Sequence, residues 1–318
     1  MKKILITGGA GFIGSNLIRF YIQKNCDVTI IDNLLTSSKS NIDQFINLPH
    51  FHFYKKNLID GNLKNYLGEK SFDYVFHLAS PASPRQYTTH PIETLLVNSI
   101  GTYHLLTFVH EAKCKSFVFA STSEVYGDPL MHPQTENYWG NVNPNGERAC
   151  YDEAKRFGEA MVMTFFRKYV LPIKIARIFN TYGPNMEADD GRVISNFITQ
   201  GIENADMTVY GDGNQTRSFC YVDDLIIGLD KLAHYSESGC VINLGNDDEK
   251  KIIDIATAIK KMLNSSSHIV FKPLPTDDPK KRKPDLTKAK KLLAFKPTIS
   301  LQEGLKKTIN YFVDLKKV

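Results

Sequence analysis

A glycine-rich turn, Gly8-Gly9-Ala10-Gly11-Phe12-Ile13-Gly14, joins a short apolar run to an amphipathic stretch. That placement leaves few folds open to the chain. Ile4-Leu5-Ile6-Thr7 reads as a buried parallel strand. Ile13, Leu17 and Phe20/Tyr21 recur at helical spacing after the turn. Glycine permits a tight turn, a close backbone approach to a ligand and tight packing of helix on strand. The helix start then offers free N–H groups and a positive dipole end, which suits phosphate.

A G-x-G-x-x-G run is weak evidence alone. Here a second strand, Val28–Ile31, closes on Asp32. A carboxylate at that point accepts hydrogen bonds from the adenosine ribose hydroxyls and repels the extra phosphate of NADP. Asn33 follows it, not an arginine. NAD is the expected cofactor, with Gly8, Gly11, Phe12, Ile13, Gly14, Asp32 and Asn33 around it. Tyr74–Leu78, Phe117–Ala120 and Ile173–Ala176 are further buried-strand candidates. Helical patterns lie between them, at 91–111 and 152–168. Alternating strands and helices predict an α/β fold, a Rossmann-type doubly wound parallel sheet. After about residue 180 glycine and proline cluster, and 273–284 is a charged, Pro-rich loop. The expected division is a NAD-binding domain over 1–180 and a smaller substrate-binding domain over 181–318, with later segments contributing to the first.

Composition narrows the function. At 318 residues, 42% hydrophobic and 23% charged, this is an ordinary globular chain. A net charge of +5 is too weak and dispersed for nucleic acid but suits an acidic small ligand. Cys26, Cys114, Cys150, Cys220 and Cys240 show no paired spacing, and their number is odd. Free thiols in a reducing cytoplasm are expected. No metal-ligand spacing stands out. No apolar run approaches a membrane span, and Met1-Lys2-Lys3 leads straight into a strand, so a soluble protein without a signal peptide is expected.

Tyr151 and Lys155 form Tyr-x-x-x-Lys, which puts both on one helix face. A tyrosine has a pKa of about 10. A nearby ammonium and a cationic nicotinamide are expected to stabilise its phenolate. Tyr151 then takes a hydroxyl proton as hydride leaves the same carbon. The cluster Ser121-Thr122-Ser123-Glu124 ends a strand nearby in the pattern.

Together the glycine turn, Thr122, Tyr151 and Lys155 resemble the extended short-chain dehydrogenase/reductases that act on nucleotide sugars. The segments 77–84, 121–129, 138–144, 148–153, 177–184, 190–193, 216–219 and 281–285 sharpen the likeness to the UDP-glucuronic acid decarboxylases, or UDP-xylose synthases. The resemblance covers essentially the whole chain. It implies that Thr122 binds the reacting hydroxyl and that Lys155 also holds the nicotinamide ribose. It implies further cofactor contacts at Leu58, Leu78, Ala79 and Asn98. Substrate contacts are implied at Pro81, Ser83, Asn180, Arg192, Arg217 and Arg282, the last with a catalytic part near the substrate carboxylate. His77 opens the segment lining the nicotinamide side, where a lone histidine is commonly structural. Arg85 tempts a carboxylate-binding role. Asn57 stands where the family has an adenine-reading Asp.

The implied reaction is oxidation of C4, loss of CO2 from the resulting β-keto acid, and re-reduction of C4. Ser123 departs from the Asp of the related 4,6-dehydratases, which protonates a leaving hydroxyl. A decarboxylase expels no hydroxyl, and an Asp there would face the substrate's own carboxylate. Glu124 is the expected acid/base or water-orienting group near C5. Release of a 4-keto pentose with NADH, a nucleotide-sugar 4,6-dehydratase and a non-catalytic NAD sensor stay open as alternatives. The resemblance also implies a homodimer through a four-helix bundle of 91–111 and 152–168, with Leu95, Leu105, Met161 and Phe165 available for it.

Overall fold

The computed structural model describes residues 1–274 and 281–316. Part of the charged loop at 273–284 therefore lies outside the described residues. In chain order β1 (Lys3–Thr7), α1 (Phe12–Gln23), β2 (Asp27–Asp32), β3 (Phe51–Lys55), α2 (Lys64–Leu67) and β4 (Tyr74–His77) come first. Next are α3 (Pro84–Thr89) and α4 (Pro91–Leu96), which runs through a π-helical turn at Val97–Gly101 into α5 (Thr102–Glu111). Then follow β5 (Phe117–Thr122), α6 (Ala149–Tyr169) and β6 (Ile173–Ile178). The second half supplies β7 (Thr181–Tyr182), α7 (Val193–Ile202), β8 (Met207–Tyr210), β9 (Thr216–Ser218), β10 (Cys220–Tyr221), α8 (Val222–His234) and β11 (Cys240–Leu244). It ends with β12 (Glu249–Lys251), α9 (Ile252–Leu263), β13 (Ile269–Lys272), β14 (Lys281–Arg282), α10 (Thr287–Leu293) and α11 (Leu301–Leu315).

Seven parallel strands form the main sheet in the order β3-β2-β1-β4-β5-β6-β11. The direction of winding reverses between β1 and β4, and such a reversal opens a crevice at the strands' C-terminal ends. The five strands expected from apolar runs are all present. The sheet also holds β3 and β11. In β3 only Phe51 is buried, so this edge strand carries no continuous apolar run. β11 comes from the second half of the chain and lies beside β6.

Alternation along the strands builds two cores. Ile4, Ile6, Val28, Ile30, Phe76 and Val118 face one side, against Leu17 and Ile18 of α1 and Leu225 and Leu229 of α8. Leu5, Ile31, Val75, Phe117, Phe119, Ile173 and Ile175 face the other, against Leu105, Leu106 and Val109 of α5 and Val162 of α6. Successive strand residues point to opposite faces, so one apolar run serves both layers. Each fully buried branched or aromatic side chain contributes about 1.5–3 kcal/mol.

Leu105 corrects one expectation. It is fully buried against the sheet and is not free to meet a second copy. Met161 and Phe165 also pack against that core. Leu95 is exposed as expected, and Ile92, Ile100, Tyr103 and Phe157 are further exposed apolar side chains on the same helices.

Candidate active site

A cleft of about 600 Å3 runs along the C-terminal ends of the main strands. Its cofactor end is built by close packing. Gly8 has φ +74°, and a side chain there would strike the Leu78–Ala79 backbone. A Cβ on Gly14 would sit 2.2 Å from the Gly8 carbonyl oxygen. Gly11 caps α1 without a side-chain bond, so the first-turn N–H groups face the cleft uncapped. This cradle fits a diphosphate. Asp32 is buried at the end of β2 and accepts from Ala10 N at 2.9 Å, Leu34 N at 2.8 Å and Ser37 Oγ at 2.7 Å. A carboxylate has about four lone-pair positions. About one therefore stays open toward a ribose, fewer than the sequence suggested.

Tyr151 and Lys155 lie on the face of α6 that meets β5. Gly158, two turns on, allows this approach: a Cβ there would be 2.5 Å from the Phe119 ring. Lys155 Nζ donates to the Ala120 carbonyl at 2.9 Å and stands 5.9 Å from the centre of the Tyr151 ring. Thr122, the last residue of β5, lines the same stretch of the cleft and acts on the Tyr151 phenol in the lowering direction. Burial pushes the Tyr151 phenol up to about 12 despite Thr122, with the Glu124 charge adding to the rise. Burial also brings the Lys155 ammonium down to about 7. The expected lowering of the phenol by the ammonium together with a cationic nicotinamide therefore does not come from the protein's own groups, which leave it raised. Both groups are buried on the cleft floor, and desolvation sets the direction of each shift.

Glu124 is the second surprise. Arg282 reaches it with both terminal nitrogens, Nη1 to Oε1 and Nη2 to Oε2, the latter at 2.9 Å. Arg148 Nη2 donates to Oε2 at 2.5 Å. Burial works against the charge, but the two guanidinium groups prevail and hold the carboxyl well below the usual carboxylate range. In this arrangement Glu124 is a fixed anion, not a ready proton donor. Arg282 is correspondingly engaged with Glu124 rather than standing free for a diphosphate. The neighbouring Asp152 shows the opposite shift, raised by burial and then by the Glu124 charge.

The structure brings nearly all the expected residues to this cleft. Gly8, Gly11, Phe12, Ile13, Gly14, Asp32, Asn33, Leu58, Leu78 and Ala79 line its cofactor half. Pro81, Ser83, Thr122, Ser123, Glu124, Tyr151, Lys155, Asn180, Arg192, Arg217 and Arg282 line the remainder. Ser83 Oγ is buried with no partner among the described residues. Arg217 and Arg282 are register partners in the three-stranded sheet β12-β9-β14, which delivers both to one wall. Arg192 donates to the Ala82 carbonyl at 3.0 Å and pairs with Asp190 at 3.3 Å.

Three residues fall elsewhere. Asn98 sits behind the wall, donating to Ser80 Oγ at 2.8 Å and Thr94 O at 2.9 Å. Arg85 lies outside the cleft, tied to Asp189 across its mouth. His77 is clasped by Thr7 at 2.8 Å and Thr102 at 2.9 Å, and burial drops it to about 3, so it is a neutral structural histidine. Asn57 does line the cleft, with Oδ1 taken by Ile59 N at 3.2 Å.

Arg148 and Tyr87 are lining residues beside Tyr151 to which sequence reasoning gave no role. Arg148 is three positions before Tyr151, one helical turn away on the same face, and that spacing was the available signal. Tyr87 stacks on Tyr151 with ring centroids 4.9 Å apart and planes 7° from parallel. Its hydroxyl is buried without a partner among the described residues.

This fold and this Tyr-Lys-Thr geometry define a dinucleotide-dependent enzyme of the extended short-chain dehydrogenase/reductase type. The chain belongs to the family described as GDP-mannose 4,6 dehydratase, whose model matches residues 5–308. Over 98% of its length it is 46% identical to UDP-glucuronic acid decarboxylase 1 of Danio rerio, covering 72% of that protein. Among solved structures it is similar to an epimerase from Methanothermobacter thermautotrophicus, with a TM-score of 0.91, 31% identity and coverage of 99% and 93%. It is also similar to a Bacillus cereus UDP-glucuronic acid 4-epimerase in complex with UDP-glucuronic acid and NAD, with a TM-score of 0.87, 30% identity and coverage of 98% and 99%.

Proposed function

We propose that the chain is an NAD-dependent decarboxylase that converts UDP-glucuronate to UDP-xylose. The observation that carries this reading is the cluster beside Tyr151: Ser123 and Glu124 at the strand end, with Arg148 and Arg282 both on the Glu124 carboxylate. Two guanidinium groups around one carboxylate leave positive charge for a substrate carboxylate. Ser123 offers that carboxylate a hydroxyl instead of a second negative charge. The 46% identity to a UDP-glucuronic acid decarboxylase supports the same conclusion.

NAD, when bound along the glycine turn and Asp32, supplies the hydride acceptor for C4 and later the hydride donor. Tyr151 takes the C4 hydroxyl proton, with Thr122 fixing its hydroxyl. Lys155 holds a positive charge beneath the ring while it is protonated. Loss of CO2 then needs little help, because the electrons left at C5 delocalise onto the C4 ketone oxygen; a proton from water then adds at C5 and restores the ketone. Tyr151 returns its proton when C4 is reduced again. Glu124 and Arg282 stand at the C5 side, the carboxylate to orient water or the ring and the arginine to hold the substrate carboxylate. Asn180, Arg192 and Arg217 anchor the diphosphate, where arginine's planar fork gives paired hydrogen bonds.

The division into a NAD-binding domain over 1–180 and a sugar-nucleotide domain over 181–318 belongs to this proposal. So does a homodimer in which Ile92, Leu95, Ile100, Tyr103 and Phe157 are covered by a second copy. A cytoplasmic setting goes with five free thiols. Among the described residues no helix is long and apolar enough to cross a membrane. Incubation with UDP-glucuronate and catalytic NAD tests the reaction. CO2 and a UDP-pentose with no net NADH are expected, and absence of CO2 release refutes the proposal.

A further inference from the structure

Arg282 lies on a two-residue strand, an unpromising support for a guanidinium that must meet a carboxylate at both ends. Its support comes from a side chain far away in sequence. Gln134 is fully buried. Its side-chain oxygen accepts from Lys283 N at 2.8 Å, and its own N–H donates to the Lys283 carbonyl at 2.9 Å. Its carbonyl accepts from Asp285 N at 2.8 Å. Its Nε2 donates to the Met131 carbonyl at 2.7 Å, fastening the near side. Asn243 closes the frame: Nδ2 reaches the Gln134 carbonyl at 3.0 Å and the Asp285 carbonyl at 3.2 Å, while Oδ1 accepts from Tyr126 at 2.7 Å. Three polar atoms of Gln134, Oε1 and the backbone N and O, are thus spent on the segment next to Arg282, and the fourth, Nε2, ties Gln134 to Met131. A surface loop has no need of a buried amide so fully engaged.

We infer that Gln134 is a positioning residue: it fixes the segment that carries Arg282 and thereby the two-point pairing of Arg282 with Glu124. Gln134 touches neither the cleft nor Glu124, so it acts only through Arg282. This inference rests on the reading of Glu124 and Arg282 as parts of a decarboxylase site. The charged and titratable groups facing Glu124 are Arg282 from β14, Arg148, Tyr151 and Asp152 from the start of α6, and Tyr87 from α3. Of these only Arg282 is held by Gln134. Those beside Gln134 are His132, which pairs with Glu249 at 3.2 Å, Lys283 and Asp285.

The test is Gln134→Met, near in shape but without the amide, beside Gln134→Glu, which keeps an acceptor for Lys283 N. Glutamate side-chain carboxyls are followed by carbon-13 NMR titration in the full chain, with Glu124 assigned by its loss in Glu124→Gln. Turnover of UDP-glucuronate is followed over the same pH range. In Q134M the Glu124 midpoint is expected to rise by about one pH unit or more. Turnover should fall about 10- to 100-fold in kcat with NAD affinity unchanged. Q134E keeps the acceptor for Lys283 N but loses the donor to the Met131 carbonyl, so its Glu124 midpoint and kcat should lie between those of Q134M and wild type. An unmoved Glu124 midpoint in Q134M, with kcat unchanged, overturns the inference, as does loss of thermal stability alone. If Q134M does not fold, Gln134→Asn, one methylene too short for Lys283 N, is read in the same way. The NMR arm needs no turnover, so a wild-type protein inert toward UDP-glucuronate refutes the proposed reaction while Gln134 is still decided.

Discussion

Arg282 holds Glu124 by both carboxylate oxygens from a strand 158 positions away in sequence. Arg148 adds a third contact. Removing one partner of a buried ion pair typically costs about 3–5 kcal/mol. Arg282→Gln should therefore destabilise the fold, toward the low end because Arg148 remains. The pH dependence has a definite sign. Glu124 is depressed below its ordinary value of 4.5 in the folded chain. Its pairing thus stabilises above pH 4.5 and is lost as pH falls toward the folded value. Denaturant titrations between pH 3 and 7 should show a smaller acid loss in R282Q than in wild type. Equal slopes would contradict the pairing.

Lys155 makes the reverse trade. Its ammonium is buried and brought down from 10.5 to about 7. The cost to folding is full below pH 7 and disappears as pH rises toward 10.5. Lys155→Met should raise the melting temperature of the cofactor-free protein, most strongly at pH 7 and below. The gain should shrink as the solution turns alkaline, while catalytic activity is lost. A variant less stable than wild type at pH 6 would show that the lysine is paid for by contacts rather than tolerated for chemistry.

Tyr151→Phe keeps the stack on Tyr87 and removes only the hydroxyl. Turnover should fall by about 10²–10⁴ or more, the usual worth of a general acid–base group. NAD titration by fluorescence should be unaffected. Turnover close to wild type in this variant would remove Tyr151 from the reaction.

Much of this site was legible before the fold was known. The glycine turn, Asp32 and the Tyr151–Lys155 spacing are local signals, and each depends on neighbours within one helical turn or one strand. What was not legible depends on elements meeting in space. The Glu124–Arg148–Arg282 cluster joins a strand end, a helix start and a short strand, and no sequence periodicity links them. Tyr87 is a buried ring in a six-residue helix too short to carry a clear pattern. Asn98 was placed in the cofactor's reach, yet the π-helical turn that holds it sets it one layer back. Leu105 and Leu95 looked alike as apolar helix residues. Burial against the sheet separates them, Leu105 at 0% exposure and Leu95 at 41%.

Exposure on those helices leads to a prediction about assembly. Ile92, Leu95, Ile100 and Tyr103 lie along α4 and the turn into α5, beside Phe157 on α6. Exposed apolar side chains of this kind are the surface that the proposed homodimer covers. Tyr103→Glu combined with Ile92→Asp should convert a dimer to a monomer in sedimentation velocity at micromolar concentration. A dimer that persists in the double variant would place the interface elsewhere.

Gly14→Ala tests the cofactor cradle. The new methyl would sit 2.2 Å from the Gly8 carbonyl oxygen and cannot be relieved by a side-chain rotation. The turn must open, and NAD affinity should drop at least about 100-fold, equivalent to roughly 2.8 kcal/mol. Unchanged affinity by calorimetry would mean that the diphosphate lies elsewhere.

The central claim is that one hydride leaves C4 and comes back after CO2 has gone. UDP-glucuronate carrying deuterium at C4, turned over with catalytic unlabelled NAD, tests it most directly. The account predicts UDP-xylose with the deuterium still at C4, seen by mass and by the missing C4 proton resonance. Deuterium lost from the pentose, or appearing in free NADH beside a 4-keto sugar, would contradict it.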